Sequence, residues 1–313
     1  MITFFSRKIF IIIIVLLFSY SCSTNYDKRG RLMVVVTTGQ IEDAVRNIAG
    51  DSVLLLPALC GAEENPHSYT ATTNDIKNLS YADIVFYNGF LLEEQMQYVL
   101  NRLGSEKAVA VSKDIPEEKL LKMEHKGSVM GTDPHIWNNP KSWILCVKTI
   151  TEILCARDSV NANYFRANSL KYIAEIDSLH NYAIREFSKI ELKNRILVSS
   201  HDAFNYFAQA YNIKTVAVMG ISSNSETGIN KIRELADFIV ENKVHTIFME
   251  SSVNPKGIEA LKEAVESRGG QVEIFRKPLF SDALAMFPPE NTYLGMLKSN
   301  IDAMVEGMKN NGK

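Results

Sequence analysis

The sequence predicts an α/β protein of two lobes, each with a parallel sheet, bridged by one long α-helix. Three observations carry that expectation. Strand and helix patterns alternate both before and after a central stretch. That stretch, from about Asn161 to Ile190, repeats Leu170, Ile173, Ile176, Leu179, Ala183 and Phe187 at steps of three and four and holds neither Gly nor Pro. At about 1.5 Å per residue, some 30 residues reach roughly 45 Å, longer than the ~30 Å of a small domain. The helix therefore reads as a beam between two halves, with an ordinary long helix packed on one domain as the alternative. Finally, 313 residues are enough for two cores.

Composition is that of an ordinary globular protein. Apolar residues make up 46% and charged residues 22%, and the formal net charge of -2 gives no argument for nucleic acid. The N-terminus differs. Arg7 and Lys8 precede the apolar block Ile9–Phe18, and small or polar residues then lead to Cys22. This is the order of a secretory signal, and the block is shorter than the ~20 residues of a membrane-spanning helix. Ser19-Tyr20-Ser21-Cys22 resembles a bacterial lipoprotein box with Cys22 as the lipidated residue. Ser19 stands where Leu is usual and Tyr20 is large, so plain secretion is the alternative. The chain divides into a signal peptide with lipobox (1–22), a tether (23–30), an N-terminal lobe (31–157), a linking helix (158–191) and a C-terminal lobe (192–313). Of the remaining cysteines, Cys146 and Cys155 share an expected helix nine residues apart. That is about 13 Å by helical rise, beyond disulfide reach, so both read as buried apolar residues.

In the first lobe Arg31–Thr37 is a β-branched strand, followed by a helix with Ile41, Ala44, Val45 and Ile48 at helical spacing. Ser52–Leu56 is the next strand, and a loop from Cys60 to Pro66 leads to His67. Thr73 or Asn74 suits the N-cap of a helix through Ser80, and Asp83–Tyr87 is a further strand. Lys113–Thr132 reads as a polar loop that runs into Asp133-Pro134-His135. Asn139 and Pro140 then supply the cap and first residue of a helix over Lys141–Cys155. In the second lobe Arg195–Ser199 is a strand that ends near His201, before a helix through Tyr211. Lys214–Val218 is a strand, and the loop Ile221–Thr227 opens a helix to about Val240. The strand His245–Met249 ends at Glu250. A helix through Ser267, the strand Val272–Phe275, the loop Pro278–Leu284 and a closing helix over Thr292–Met308 complete the chain.

In parallel α/β sheets, ligands gather beyond the carboxyl ends of the strands. His67, His135, His201 and Asp282 all fall in such loops, two in each lobe. Three imidazoles and a carboxylate can close a four-donor shell around zinc, manganese or iron, with no thiolate to demand a softer ion. Histidines satisfied separately in surface or core are the alternative. Glu250, at a strand end, either orients a ligand or is a capping or surface carboxylate. His125, His180 and His245 have no comparable setting and read as solvated or structural.

The words around the four residues are specific. VVVTTGQIEDAVRNIAGD (34–51), PHSYTATTNDIKNLSYADIVFYNG (66–89) and DPHIWNNP (133–140) lie in the first half. SSHDAFNYFAQAYNI (199–213), IFMESSVNP (247–255), LFSDAL (279–284) and TYLGMLKSNIDAMVEGM (292–308) lie in the second. In this order, and over nearly all of the chain after the tether, the sequence resembles the TroA-like metal-binding family of ABC-transporter substrate-binding lipoproteins for zinc and manganese. The resemblance implies a helical-backbone metal receptor, with one zinc or manganese ion buried between lobes as transported ligand. The implied ligands are His67, His135, His201 and Asp282. Asn65 departs from the family pattern, in which an Asp usually precedes Pro-His, and this bears on the support of His67. Cys60 in the same loop is also unusual, and packing is the reading preferred to ligation.

The implied protein is a monomer, lipid-anchored to a bacterial membrane and facing the periplasm or cell exterior. Its partners are an ABC permease and the ATPase that drives it. Metal affinity is expected to fall as pH drops through the histidine range near ~6.5. The alternatives are a metal-dependent adhesin and a metalloenzyme, which would need an open metal position and a general base. Lys113–Thr132 contains only His125, not the long His-rich acidic loop common in members devoted to zinc. This favours manganese or mixed use, although zinc stands above manganese in intrinsic affinity.

Overall fold

β-branched and aromatic runs bounded by turn residues build the first sheet. The computed structural model describes residue 28, residues 30–125, 128–221 and 228–312, without the side chains of 124, 125 and 128. The signal segment, Cys22, most of the tether, the side chain of His125 and residues 222–227 of the loop Ile221–Thr227 lie outside the described residues. The run MVVV forms β1 (Met33–Val36), buried along its whole length. Around it stand β2 (Leu54–Leu55), β3 (Ile84–Tyr87) and β4 (Ala108–Ala110), all parallel in the order β2-β1-β3-β4. Val35 pairs with Val85, and Phe86 with Val109. Such apolar pairing on both faces is what a sheet covered by helices requires.

The covering helices begin with α1 (Gly39–Ala49), α2 (Thr73–Tyr81) and α3 (Gln97–Leu103). The N-cap of α2 is Thr72, one residue before the two expected. Its hydroxyl accepts from Asp75 N–H, and the Asp75 carboxylate accepts from Thr72 N–H at 2.7 Å, a reciprocal capping box. α3 and β4 are additional to the elements expected from the sequence. The expected polar loop Lys113–Thr132 contains an antiparallel hairpin, β5 (Lys122–His125) and β6 (Ser128–Thr132). Its anchors are long-range: Leu121 N–H donates to the Tyr206 hydroxyl, and Asp133 N–H to the Leu121 carbonyl. Composition alone carries no sign of them.

α4 (Pro140–Arg157) starts as expected, with Pro140 in its first turn and Asn139 Oδ1 accepting from Lys141 N–H at 3.0 Å. α5 (Ala162–Ser188) is the long helix, 27 residues and about 40 Å by helical rise. Its buried face agrees with the expected one at Ile176, Ala183 and Phe187, with Ile173 and Leu179 partly buried against the core, and departs from it at Leu170. Leu170 is 70% exposed, and the buried stripe is Phe165, Ser169, Tyr172, Ile176, His180, Ala183 and Phe187. Polar groups with partners occupy core positions: Tyr172 donates to Asp43 Oδ2 at 2.7 Å, and His180 Nδ1 lies 3.1 Å from the Tyr211 hydroxyl. A stripe read from apolar residues alone passes over such positions.

The second half repeats the parallel scheme with β7 (Ile196–Ser199) beside β8 (Lys214–Ala217), and β9 (Thr246–Ile247) beside β10 (Glu273–Ile274). Phe248 N–H donates to the Val198 carbonyl, which lays β9 alongside β7. α6 (Asn205–Tyr211), α7 (Ile229–Glu241), α8 (Lys256–Glu266) and α9 (Tyr293–Met308) accompany these strands. One core runs from Val34 and Trp143 through Phe187 and Phe207 to Met304, and a smaller one gathers Val198, Leu235, Ile247 and Leu261. Arg31–Lys313 thus forms one compact unit. Cys60, Cys146 and Cys155 are free and buried.

The two faces of α5 predict opposite responses to truncation. Phe187→Ala, which empties a site against Phe207 and Tyr211, is expected to cost about 3–5 kcal/mol. Leu170→Ala is expected to stay within about 0.5 kcal/mol. Denaturant midpoints of the two full-length variants check this, and equal losses would contradict the observed face.

Candidate metal centre

Two Xaa-Pro-His segments and two strand ends converge on one buried point. His67 sits in the loop between β2 and α2, and His135 follows β6 at the start of a short 3-10 turn (Ile136–Asn138). His201 lies two residues beyond β7, and Asp282 three beyond the Leu279 bridge to Glu250. All four are buried, His67 the least at 5% exposed. One donor atom from each lies within 4.8 Å of every other. His67 Nε2 and His135 Nε2 are 3.1 Å apart, and the Asp282 oxygens stand 3.4 Å from His135 Nε2 and from His201 Nε2.

These spacings suit an ion. Zinc with bonds of ~2.0–2.1 Å in a tetrahedron sets its donors roughly 3.3–3.5 Å apart. The rings are steeply inclined, His67 to His201 at 86° and His135 to His201 at 70°, and the short distances to Nε2 show that these nitrogens point inward. His201 Nε2 and Asp282 Oδ1 are buried without a hydrogen-bond partner. Buried polar atoms of that kind are costly unless a ligand satisfies them.

Two of the three imidazoles are held from behind by carboxylates. Asp133 Oδ1 accepts from His135 N–H at 3.0 Å and from its Nδ1–H at 2.8 Å. Glu250 does the same for His201: Oε1 accepts the backbone N–H at 2.9 Å, and Oε2 accepts Nδ1–H. A carboxylate only accepts, so Nδ1 carries the proton and Nε2 is turned inward. Glu250 is thus a buried carboxylate bonded to both the backbone and the ring of His201, not a surface one. Asn65 Oδ1 accepts from His67 N–H at 3.0 Å, so the departure from Asp keeps that backbone bond. Cys60, although buried, is not among the converging donors, and burial together with Glu64, Asp282 and Glu93 pushes its thiol far up.

Sequence reasoning missed the ties between the halves. Trp137 Nε1–H donates to the Ser281 carbonyl at 2.7 Å, and Gln40 Nε2–H to the Asp282 carbonyl at 3.0 Å. Asn138 Nδ2–H reaches the Ala203 carbonyl, the Tyr206 hydroxyl the Asp133 carbonyl, and the Tyr293 hydroxyl the Trp137 carbonyl. Asn88 Nδ2–H holds the Pro134 carbonyl at 2.9 Å. Asp133 itself had a signal: it stands two residues before His135 as Asn65 does before His67. His180 is structural, as expected, while His245 makes an exposed contact from Nδ1 to the Gln271 carbonyl.

A family model described as zinc-uptake complex component A, periplasmic, matches residues 34–307. The chain belongs to that family. Its members are transport substrate-binding proteins, not enzymes. The zinc-binding protein TroA of Treponema pallidum is 40% identical over 281 residues, 89% of each chain. The manganese-binding lipoprotein MntA of Bacillus subtilis is 36% identical over 281 residues, 89% of this chain and 90% of its own length. The solved structure of the periplasmic zinc-binding TroA superposes with a TM-score of 0.85, covering 89% of this chain and 99% of that one. The parallel-sheet α/β fold is thus that of the zinc-uptake family.

The protonation states of the pocket diverge. Burial lowers His67 to about 4, outweighing the attraction of Asp282. Burial also pulls on His135, but the charge and hydrogen bond of Asp133, with help from Asp282, raise it to about 9. His201 is raised well above its ordinary value, because Asp282 and Glu250 overcome burial. Burial works against the Asp282 carboxylate, yet His201 and His135 hold it well below the usual range. The expected titration near ~6.5 is therefore displaced. Before an ion enters, His135 and His201 are protonated at pH 7 and His67 is neutral. Zinc binding at pH 7 is expected to release about two protons per ion, one each from His135 and His201, and affinity should keep rising as pH climbs toward about 9. Calorimetry in buffers of different ionisation enthalpy measures that release; none would contradict these states.

Proposed function

We propose that this chain is an extracytoplasmic substrate-binding lipoprotein that takes up one divalent transition metal, zinc or manganese, through His67, His135, His201 and Asp282. It then delivers the ion to an ABC permease driven by an ATPase. The observation that carries this reading is the convergence of four buried donors, two from each half, on a point of coordination size. Membership in a family of transport substrate-binding proteins supports the delivery role. Three imidazoles and one carboxylate replace the ion's water with protein donors and close the shell, as a binding site requires.

Cys22 is the proposed lipid attachment, and the protein acts as a monomer. The bonds from Trp137, Gln40, Asn138, Tyr206 and Tyr293 across the two halves, laid over the continuous α5, favour release by local rearrangement of a ligand loop over a wide hinge motion. Nothing in the donor set excludes either cargo. The Irving–Williams order places zinc above manganese at such a site, so supply decides which ion is carried.

The test is calorimetric competition on the metal-stripped full-length protein. One site per chain is expected, with zinc tighter than manganese. His67→Ala and Asp282→Ala should each weaken zinc by more than about 100-fold, since loss of an outer partner alone costs 10–100-fold. Wild-type affinity in both variants would place the ion elsewhere and overturn the assignment.

A further inference from the structure

The two Xaa-Pro-His segments of this chain are built alike, which makes their one difference informative. In Asn65-Pro66-His67 and in Asp133-Pro134-His135, the side-chain Oδ1 two residues before the histidine accepts the histidine's backbone N–H at 3.0 Å. In the second segment that same oxygen is anionic and also accepts Nδ1–H at 2.8 Å. The third histidine follows the second pattern with Glu250. Two of the three imidazoles therefore rest on a carboxylate, and His67 rests on a neutral amide.

The carboxylates among or bonded to the donors are accordingly Asp282, Asp133 and Glu250. A carboxylate behind an imidazole makes it a more basic and better oriented donor. It also adds an attraction to the ion that is large in a buried pocket, because little solvent screens it. Asn65, a neutral amide, adds no such charge behind His67. His67 is also the most open of the four ligands, and no strand or helix is assigned between Leu55 and Thr73. By contrast, the Asp133 segment is held by Asn88, Asn205 and Tyr206.

We propose that Asn65 is a positioning residue that sets how tightly and how long the ion is held, by leaving His67 the weakest of the ligands. The amide keeps the backbone bond that shapes the loop while withholding the charge that would lock the imidazole onto the metal. Departure of the ion then begins at His67. This deepens the proposed function and rests on it.

Asn65→Asp and Asn65→Ala separate the two roles of the side chain, and Asp133→Asn makes the reverse change in the matching segment. Zinc affinity and the rate of zinc loss to an excess of chelator are measured on the full-length proteins, with circular dichroism as the folding control. Asn65→Asp is expected to bind zinc about tenfold tighter and release it correspondingly more slowly than wild type, at the lower end of outer-partner effects. Asn65→Ala should be no tighter than wild type, and Asp133→Asn about 10–100-fold weaker and faster to release. Wild-type affinity and release rate in Asn65→Asp would overturn the proposal. If Asn65→Asp does not fold, unchanged zinc binding in Asp133→Asn would overturn it instead. Absence of any zinc binding to wild type would sink the metal-binding reading itself, a result distinct from either.

Discussion

The constraint on which the rest of the structure depends is the burial of one carboxylate among three imidazoles. Asp282 has lost its water and stands 3.4 Å from two ring nitrogens. Groups of this kind are tolerated inside a protein only when charge and hydrogen bonds are supplied around them. Asp133 and Glu250 fulfil part of that requirement by fixing two of the rings. An arriving cation fulfils the remainder, at the expense of the protons the pocket otherwise keeps. The site is thus a cation hole balanced for either protons or metal.

Such a hole works only if its two sides keep register. His67 and His135 come from the first half of the chain and His201 and Asp282 from the second, so a shift of an ångström between the halves would pull the donors apart. Trp137 gripping the Ser281 carbonyl and Gln40 gripping the Asp282 carbonyl act within one residue of the ligand they steady. Behind them Tyr293 joins Trp137 to Asp43, and Asp43 joins Tyr172 on α5. The long helix, the closing helix and the ligand loops are tied into one hydrogen-bonded assembly.

The four donors were legible in the sequence because two stand in Pro-His steps and two in strand-end loops, and because the flanking words resemble a known family. The start of α4 was legible for a local reason, Asn139 and Pro140 being adjacent in the chain. What escaped was long-range. Gln40 and Asp282 are 242 positions apart, Trp137 and Ser281 144, and no local pattern announces such pairs. The face of α5 was legible only in part for a related reason: Tyr172 and His180 are buried because distant residues satisfy them, while Leu170 is apolar yet exposed. The β5–β6 hairpin has little apolar character of its own and takes its anchorage from Tyr206 and Asp133.

The grips around the centre share a chemical habit. Trp137, Gln40, Asn138, Tyr206, Tyr293 and Asn88 each donate to a main-chain carbonyl, not to another side chain. A carbonyl is present whatever residue occupies the position. Mutation can therefore rewrite the gripped loops, ligands included, without releasing the grip, provided the backbone path is kept. The frame thus holds the path of the ligand loops by their backbone, apart from the side chains those loops carry.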